Sequence, residues 1–217
     1  FKINLWVIAN TFFFVSIMDN NKIIALITDF GDRGHFVGSM KGVILNLDPE
    51  IKIFDISHNI EPQNILEAAN ASNSVERVVL TSSCVAIYGD ADECASAPNK
   101  MLNEDIWNTT SSASHQPYSY SKTLAEREAW KMANAQDRWS LVVINPSLVL
   151  GPTVSGMSTS ASHDICLQMG DGTMKAGAPP MEIGMVDVRD VADAHIRAAY
   201  IPDANGRHIV SHESCTP

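Results

Sequence analysis

Residues 76–90 read ERVVLTSSCVAIYGD. Arg77 leads a continuous apolar run, Val78 to Leu80, which ends in Thr81, Ser82 and Ser83. A short valine-rich run without polar alternation is the pattern of a strand covered on both faces, as in a parallel sheet. Ligands of open α/β sheets sit at the carboxyl ends of such strands, so the three hydroxyls stand where a substrate would lie. A second run of the same kind follows at 139–152, WSLVVINPSLVLGP, with a strand over Leu141 to Ile144 that ends in Asn145, Pro146 and Ser147.

Between the two runs lies HQPYSYSKTL at 115–124, followed by AEREAWKMANAQDR. Leu124, Ala125, Ala129, Trp130 and Ala133 recur at intervals of three or four with charges between them, and Pro117 stands where a helix can start. Strand, helix, strand is the βαβ unit, so the fold class is α/β: a Rossmann-like parallel sheet flanked by helices. Within the helix, Tyr118 and Lys122 are four apart and share a face, whereas Tyr120 has no such partner. An ammonium group beside a phenol favours the phenolate and lowers its pKa, which makes Tyr118 a usable general acid or base. The plain alternative is a chance pair on a solvated helix face.

At the amino end, NKIIALITDFGDRGHFVGSMKGVIL predicts a strand over Ile23 to Ile27 and a helix over Phe36 to Leu45. Gly31, Gly34 and Gly38 are spaced three then four, which only approximates the three-and-three glycine turn that cradles a pyrophosphate. Asp55 ends the apolar run from Ile51 to Phe54, near the position of a ribose-binding acid, and reads equally well as a strand cap.

Several motifs in order carry a resemblance: TSS followed by a YG pair, Y-x-x-S-K-x-x-A-E, N-P-S-x-V-x-G-P, MVDVRDVADAHIRAA at 185–199 and GRHIVSHES near the end. Over about residues 65–217 the chain resembles the extended short-chain dehydrogenase/reductase family, within the NAD-dependent epimerase/dehydratase superfamily. The nearest branch holds the dihydroflavonol, cinnamoyl-CoA and ketone or aldehyde reductases. The resemblance implies that Ser83 hydrogen-bonds a substrate carbonyl, that Tyr118 delivers the proton, and that Lys122 tunes the tyrosine and binds the nicotinamide ribose. Thr81, Ser82, Pro146, Ser147 and Leu148, with Tyr118 and Lys122, are the implied cofactor-binding residues, and NADPH or NADH the implied cofactor. A turn out of the strand is the plainer role for 146–148, and strand-end packing for Ser82.

Residues 22–69 are similar to the start of another family, the S-adenosylmethionine hydrolases (hydroxide adenosyltransferases) and fluorinases, through TDFG, VGxMKGVI and DISHNIEP. Of that family's residues only Asp29, the TDFG aspartate, carries over; its later active-site segments have no counterpart, and His58 reads as a polar strand-end residue. The two resemblances meet near ILEAA. The expected organisation is therefore an apolar leader at 1–17 outside the fold, a β-α-β segment at 18–64, and a partial reductase domain at 65–217. The expected Rossmann-like sheet is incomplete: third and fourth strands and an N-V-x-G-T stretch lack counterparts, and the family's substrate-binding part extends beyond this chain. Met18 is a plausible natural start.

A chain of 217 residues with 45% hydrophobic residues can bury one core, or one core and a small piece. Its 15 basic against 25 acidic residues give a net charge of −10, which argues against nucleic acid or an anionic membrane as the main partner. Cys84, Cys94, Cys166 and Cys215 form no CxxC pair and read as reduced thiols of a cytoplasmic protein. His208 and His212 with Cys215 fall on a strand and tail, not a helix, so no metal is expected. The leader FKINLWVIANTFFFVSI is interrupted by polar residues and short for a membrane span. ADECASAPNKMLNED and SGMSTSASHDICLQMGDGTMKAGAPP read as loops. The leading expectation is NAD(P)H-dependent reduction of a small aldehyde or ketone, with activity limited by the irregular glycine turn. An S-adenosylmethionine hydrolase fragment and a non-catalytic fusion chain are the alternatives.

Overall fold

The computed structural model describes residues 5–6, 12–18, 21–27, 36–47, 49–58, 62–71, 75–90, 92–151, 161–175, 177 and 183–215. Its centre is the pair of valine-rich runs. Strand β5 (Arg77–Thr81) pairs in parallel with β6 (Ser140–Pro146), Val79 opposite Val142, and β6 pairs in parallel with β9 (Gly206–Val210). Their side chains alternate between two cores. Val78, Leu80, Leu141 and Val143 join Leu66 and Ala69 of α2 (Pro62–Ala71) and Ala129 of α4 (Pro117–Asn134) on one face. Val79, Val142 and Ile144 join Ile44 of α1 (Phe36–Leu47) and Ala198 and Ala199 of α6 (Val188–Tyr200) on the other. Helices on both faces of a parallel sheet explain why these strands are apolar without interruption. Each buried Val, Leu or Ile contributes about 1.5–3 kcal/mol of transfer free energy.

A second sheet holds the amino end in the order β1 (Leu5–Trp6), β2 (Phe12–Met18), β3 (Asn21–Ile27), β4 (Lys52–Ser57). The β3–α1–β4 unit is the predicted parallel βαβ, with Ile24 opposite Ile53. The leader differs from its expectation, because Phe12–Met18 pairs antiparallel with β3 along its whole length. A strand edge with unpaired backbone groups accepts a neighbouring β-prone segment, and FFFVSIM supplies one. A third sheet joins β7 (Leu148–Leu150), β8 (Ile183–Asp187) and β10 (Glu213–Cys215).

Among the described residues no further strand lies between β4 and β5, and these two belong to separate sheets, so the Rossmann-like arrangement is incomplete, as the sequence implied. The loop expectations hold less well: α3 (Glu93–Ser96) is a single turn inside 91–105, and α5 (Ala161–Gly170) is a regular helix inside 155–180. Its Leu167 and Met169 are half exposed, so the helix lacks the apolar stripe that would have announced it.

Arg77 locks the carboxyl end of α6 to the start of β5, donating to the carbonyls of Ala198 (3.0 Å), Ile201 (2.6 Å) and Pro202 (2.6 Å). At the other end Asp187 caps the helix by accepting from the Arg189 amide at 2.8 Å. Trp139, at the entrance to β6, donates from Nε1 to Asn70 of α2 at 3.0 Å. Ile44 and Ile51, before the ILEAA junction, share one core with Val79 and Val142, after it.

Candidate active site

The chain leaves β5 through Ser82, whose amide donates to the Ile144 carbonyl at 2.8 Å, and turns at Ser83 into a 3-10 turn, Cys84–Ala86. Ser83 is extended (φ −159, ψ 155), and its hydroxyl accepts from the Val85 amide at 3.4 Å. Helix α4 packs against this turn. It begins at Pro117, after Gln116 in a left-handed conformation (φ 54), so Tyr118 stands in its first turn and Lys122 one turn later. The Lys122 ammonium lies over the Tyr118 ring, 5.9 Å from its centre. Ser83, Tyr118 and Lys122 therefore come from two chain segments that meet beyond the carboxyl ends of β5 and β6.

The electrostatics differ from the sequence expectation. The Tyr118 phenol stands above its ordinary pKa, because protein crowds its hydroxyl and because the Cys84 thiolate form would repel a phenolate; the Ser83 hydroxyl pulls the other way. The nearby cation does not reverse this, for it sits against the ring face. The ring itself remains open, with Tyr118 61% exposed. Burial also raises the Cys84 thiol, which lies 3.7 Å from the Tyr88 hydroxyl.

Of the implied cofactor-binding residues, Thr81 spends its hydroxyl on His195 Nε2 at 2.8 Å, while His195 Nδ1 donates to the Val191 carbonyl at 2.7 Å. Ser82 is buried with a hydroxyl that has no partner among the described residues, and the same holds for Oδ1 of Asn145 on the neighbouring strand. Pro146 and Ser147 carry the chain from one sheet to another: Pro146 still pairs with Val210 of β9, the Ser147 amide donates to the Val210 carbonyl at 3.0 Å, and Leu148 opens β7. Gly31, Gly34 and Asp29 lie outside the described residues, and Gly38 is inside α1. Asp55, in β4, is paired with Lys41 and lies 3.3 Å from His58, which directly follows the strand.

Three residues that the sequence left without a role converge under the site. Asn145, fully buried at the end of β6, donates from Nδ2 to the Ser83 carbonyl at 3.0 Å and to Glu126 Oε2 at 2.8 Å. Glu126, fully buried on α4, accepts from Arg207 Nε of β9 at 2.5 Å. The inward stripe of α4 is Ser119, Thr123, Glu126 and Ala129, whereas Leu124 faces solvent, so the apolar residues that predicted the helix do not all mark its buried side. All three network residues lie inside motifs quoted above, A-E, N-P-S and G-R. A charged residue in a helix reads as solvated unless its distant partner is known.

The loop beyond the 3-10 turn is fixed by Asn108, which donates to the carbonyls of Val85 (2.8 Å) and Tyr88 (3.3 Å) and accepts from the amides of Thr110 and Ser111. Among the described residues no three His, Cys, Asp or Glu side chains gather into a metal-binding group. No described helix is long and apolar enough to cross a membrane.

Residues 56–194 match the NAD-binding family described as Male sterility protein, and residues 24–87 match the SAM hydroxide adenosyltransferase N-terminal domain. Tetraketide alpha-pyrone reductase 2 of Arabidopsis thaliana is 37% identical over 145 residues, 66% of this chain and 43% of that protein. Cinnamoyl-CoA reductase CAD2 of Medicago truncatula is 35% identical over 165 residues, 74% of this chain and 48% of that protein. The chain thus spans about half the length of the curated relatives it matches. The solved yeast methylglyoxal/isovaleraldehyde reductase, complexed with NADPH, superposes with a TM-score of 0.60 at 30% identity, covering 71% of this chain and 49% of that one. With a family match over residues 56–194, which takes in β5 with the Ser83 turn and helix α4 with Tyr118 and Lys122, the chain belongs to the Male sterility protein family of NAD-binding proteins, among the extended short-chain dehydrogenase/reductases.

Proposed function

We propose that the chain reduces the carbonyl group of a small aldehyde or ketone with NADPH. The observation that carries this reading is the meeting of Ser83 with Tyr118 and Lys122 at the strand ends, in a member of a family whose curated relatives are reductases. The residues fit a nicotinamide there: Ser82 keeps a buried hydroxyl without a partner among the described residues, and β3 leads to α1 in the order that turns a helix N-terminus toward a phosphate. Ser82, Lys122 and the 146–148 segment would hold that end of the cofactor, which supplies hydride to the carbonyl carbon when bound. Ser83 donates a hydrogen bond to the carbonyl oxygen and Tyr118 gives it a proton, so the product is an alcohol and the phenolate recovers its proton from solvent. A phenol with a raised pKa is a proton donor over the whole neutral range. Lys122 holds positive charge beside the ring as the phenolate forms.

The domain reading remains a β-α-β segment at 18–64 followed by a partial reductase domain at 65–217, working on a small-molecule substrate in the cytoplasm. The test is NADPH oxidation followed by absorbance, with methylglyoxal and isovaleraldehyde as probes. Turnover lost in Ser83→Ala and Tyr118→Phe is the expected result. No turnover by the folded parent with these or other small carbonyls would refute the reading. The hydrolase alternative rests on the match over 24–87. Release of adenosine from S-adenosylmethionine, abolished by Asp29→Ala, would favour it instead.

A further inference from the structure

We propose that Glu126 and Asn145, backed by Arg207, are positioning residues that hold the Ser83 turn in register with the helix carrying Tyr118 and Lys122. This rests on the reductase reading for its catalytic consequence, but the contacts stand independently of it. One amide group, Asn145 Nδ2, is shared between the Ser83 carbonyl at 3.0 Å and the Glu126 carboxylate at 2.8 Å. The serine turn and the tyrosine helix are thus joined through one donor at the end of β6.

The far side of the carboxylate is equally fixed. Arg207 gives Nε to Glu126 and three further donors to main chain: Nη1 to the carbonyls of Glu104 (2.8 Å) and Ile106 (2.5 Å), and Nη2 to that of Ala86 at 3.3 Å, inside the serine turn itself. Its guanidinium lies 3.9 Å from the centre of the Trp107 ring. The serine turn is therefore held at two carbonyls, Ser83 and Ala86, by two side chains that both bind Glu126.

Stability alone does not call for such a cluster, since apolar side chains of similar volume often replace a buried ion pair at no cost. A carboxylate offers what an apolar group lacks, two acceptors in set directions. Glu126 lies on α4 four residues beyond Lys122 and eight beyond Tyr118, about 12 Å along a helix axis at 1.5 Å per residue. Sliding or rolling α4 against the serine turn breaks the Glu126 bonds before it breaks anything at the surface. Such a device acts on geometry, and misplacement by about 1 Å can cost about a hundredfold in rate.

The test uses the full chain with its tyrosines labelled at Cζ with a carbon isotope, and Tyr118→Phe to assign the Tyr118 signal. Asn145 and Arg207 bind different oxygens of Glu126, and in Glu126→Gln one of these becomes an NH2 donor, so the two bonds cannot both persist. The expected result is a kcat for isovaleraldehyde reduction lowered about tenfold or more, with KM and NADPH affinity within about twofold of the parent. The Tyr118 titration moves upward at the same time, as the Ser83 hydroxyl loses its alignment with the phenol. Asn145→Ser, which removes the shared donor and keeps the Glu126–Arg207 pair, gives the same two changes and decides the matter if Glu126→Gln does not fold. A folded variant whose Tyr118 titration stays at the parent value overturns the proposal, as does an unchanged kcat. If the parent reduces no carbonyl, the reductase reading fails by itself, and the Tyr118 titration still judges the positioning role.

Discussion

Arg207 and Glu126, 81 residues apart in sequence, meet as an ion pair with side chains only 6% and 0% exposed. Removing one member strands the other charge in the core, at a typical cost of about 3–5 kcal/mol. Arg207→Ala is therefore expected to lower the urea midpoint steeply, while Arg197→Ala, whose pairing with Asp193 is exposed, changes it little. Equal effects in the two urea titrations would mean that the buried pair is not what holds α4 and β9 together.

Tyr118 and Tyr120 are separated by a single residue, and only Tyr118 has a lysine one turn on. Tyr118→Phe is expected to reduce carbonyl turnover by about a hundredfold to ten-thousandfold, the range of general acid catalysis, and Tyr120→Phe to leave it largely intact. Steady-state NADPH oxidation by the two variants checks this, and comparable losses would show that the spacing is incidental.

His195 sits neutral in the core, where burial pushes it down to about 4 from 6.5, against a weaker opposing pull from its bond to the Val191 carbonyl. The unfolded chain binds a proton there before the folded one does, so stability is full above about pH 6.5 and falls as pH drops toward about 4. The loss is on the order of 3 kcal/mol across that window. Urea midpoints measured through the window should fall with pH, and the fall should be shallower in His195→Gln.

Gly89, in the YG pair, lies where a Cβ would come within 2.2 Å of Thr110 Oγ1 and 2.7 Å of Ser111 Oγ. Gly89→Ala is expected to destabilise by about 1–3 kcal/mol through overpacking, and thermal melts measure it. The triple variant that adds Thr110→Ala and Ser111→Ala to Gly89→Ala should recover part of the loss. Recovery of none would point to a cause other than this close approach.

Cofactor affinity tests the irregular spacing of Gly31, Gly34 and Gly38. If that turn presents fewer amides to a pyrophosphate, NADPH binds more weakly than to a reductase with the regular turn. Calorimetry on this chain should return a dissociation constant well above the low micromolar range, and a value within that range would show the turn to be competent.

The strands Arg77–Thr81 and Ser140–Pro146, the helix from Pro117 and the Tyr118–Lys122 spacing were legible in the sequence, because each depends on residues within a few positions of one another. The Ser83 assignment came from a motif. Tertiary structure alone decided that Phe12–Met18 pairs with β3, that Ala161–Gly170 is helical, and that α4 turns Ser119, Thr123 and Glu126 inward while Leu124 faces water. It also decided that the Tyr118 phenol is raised instead of lowered, since the sign depends on what crowds its hydroxyl and where the Lys122 ammonium sits. A carboxylate in a helix is ordinarily solvated, and nothing near Glu126 in the chain says otherwise. Its burial is tolerable only because Arg207 and Asn145 arrive from distant strands with donors already aimed, a condition set by chain closure and packing.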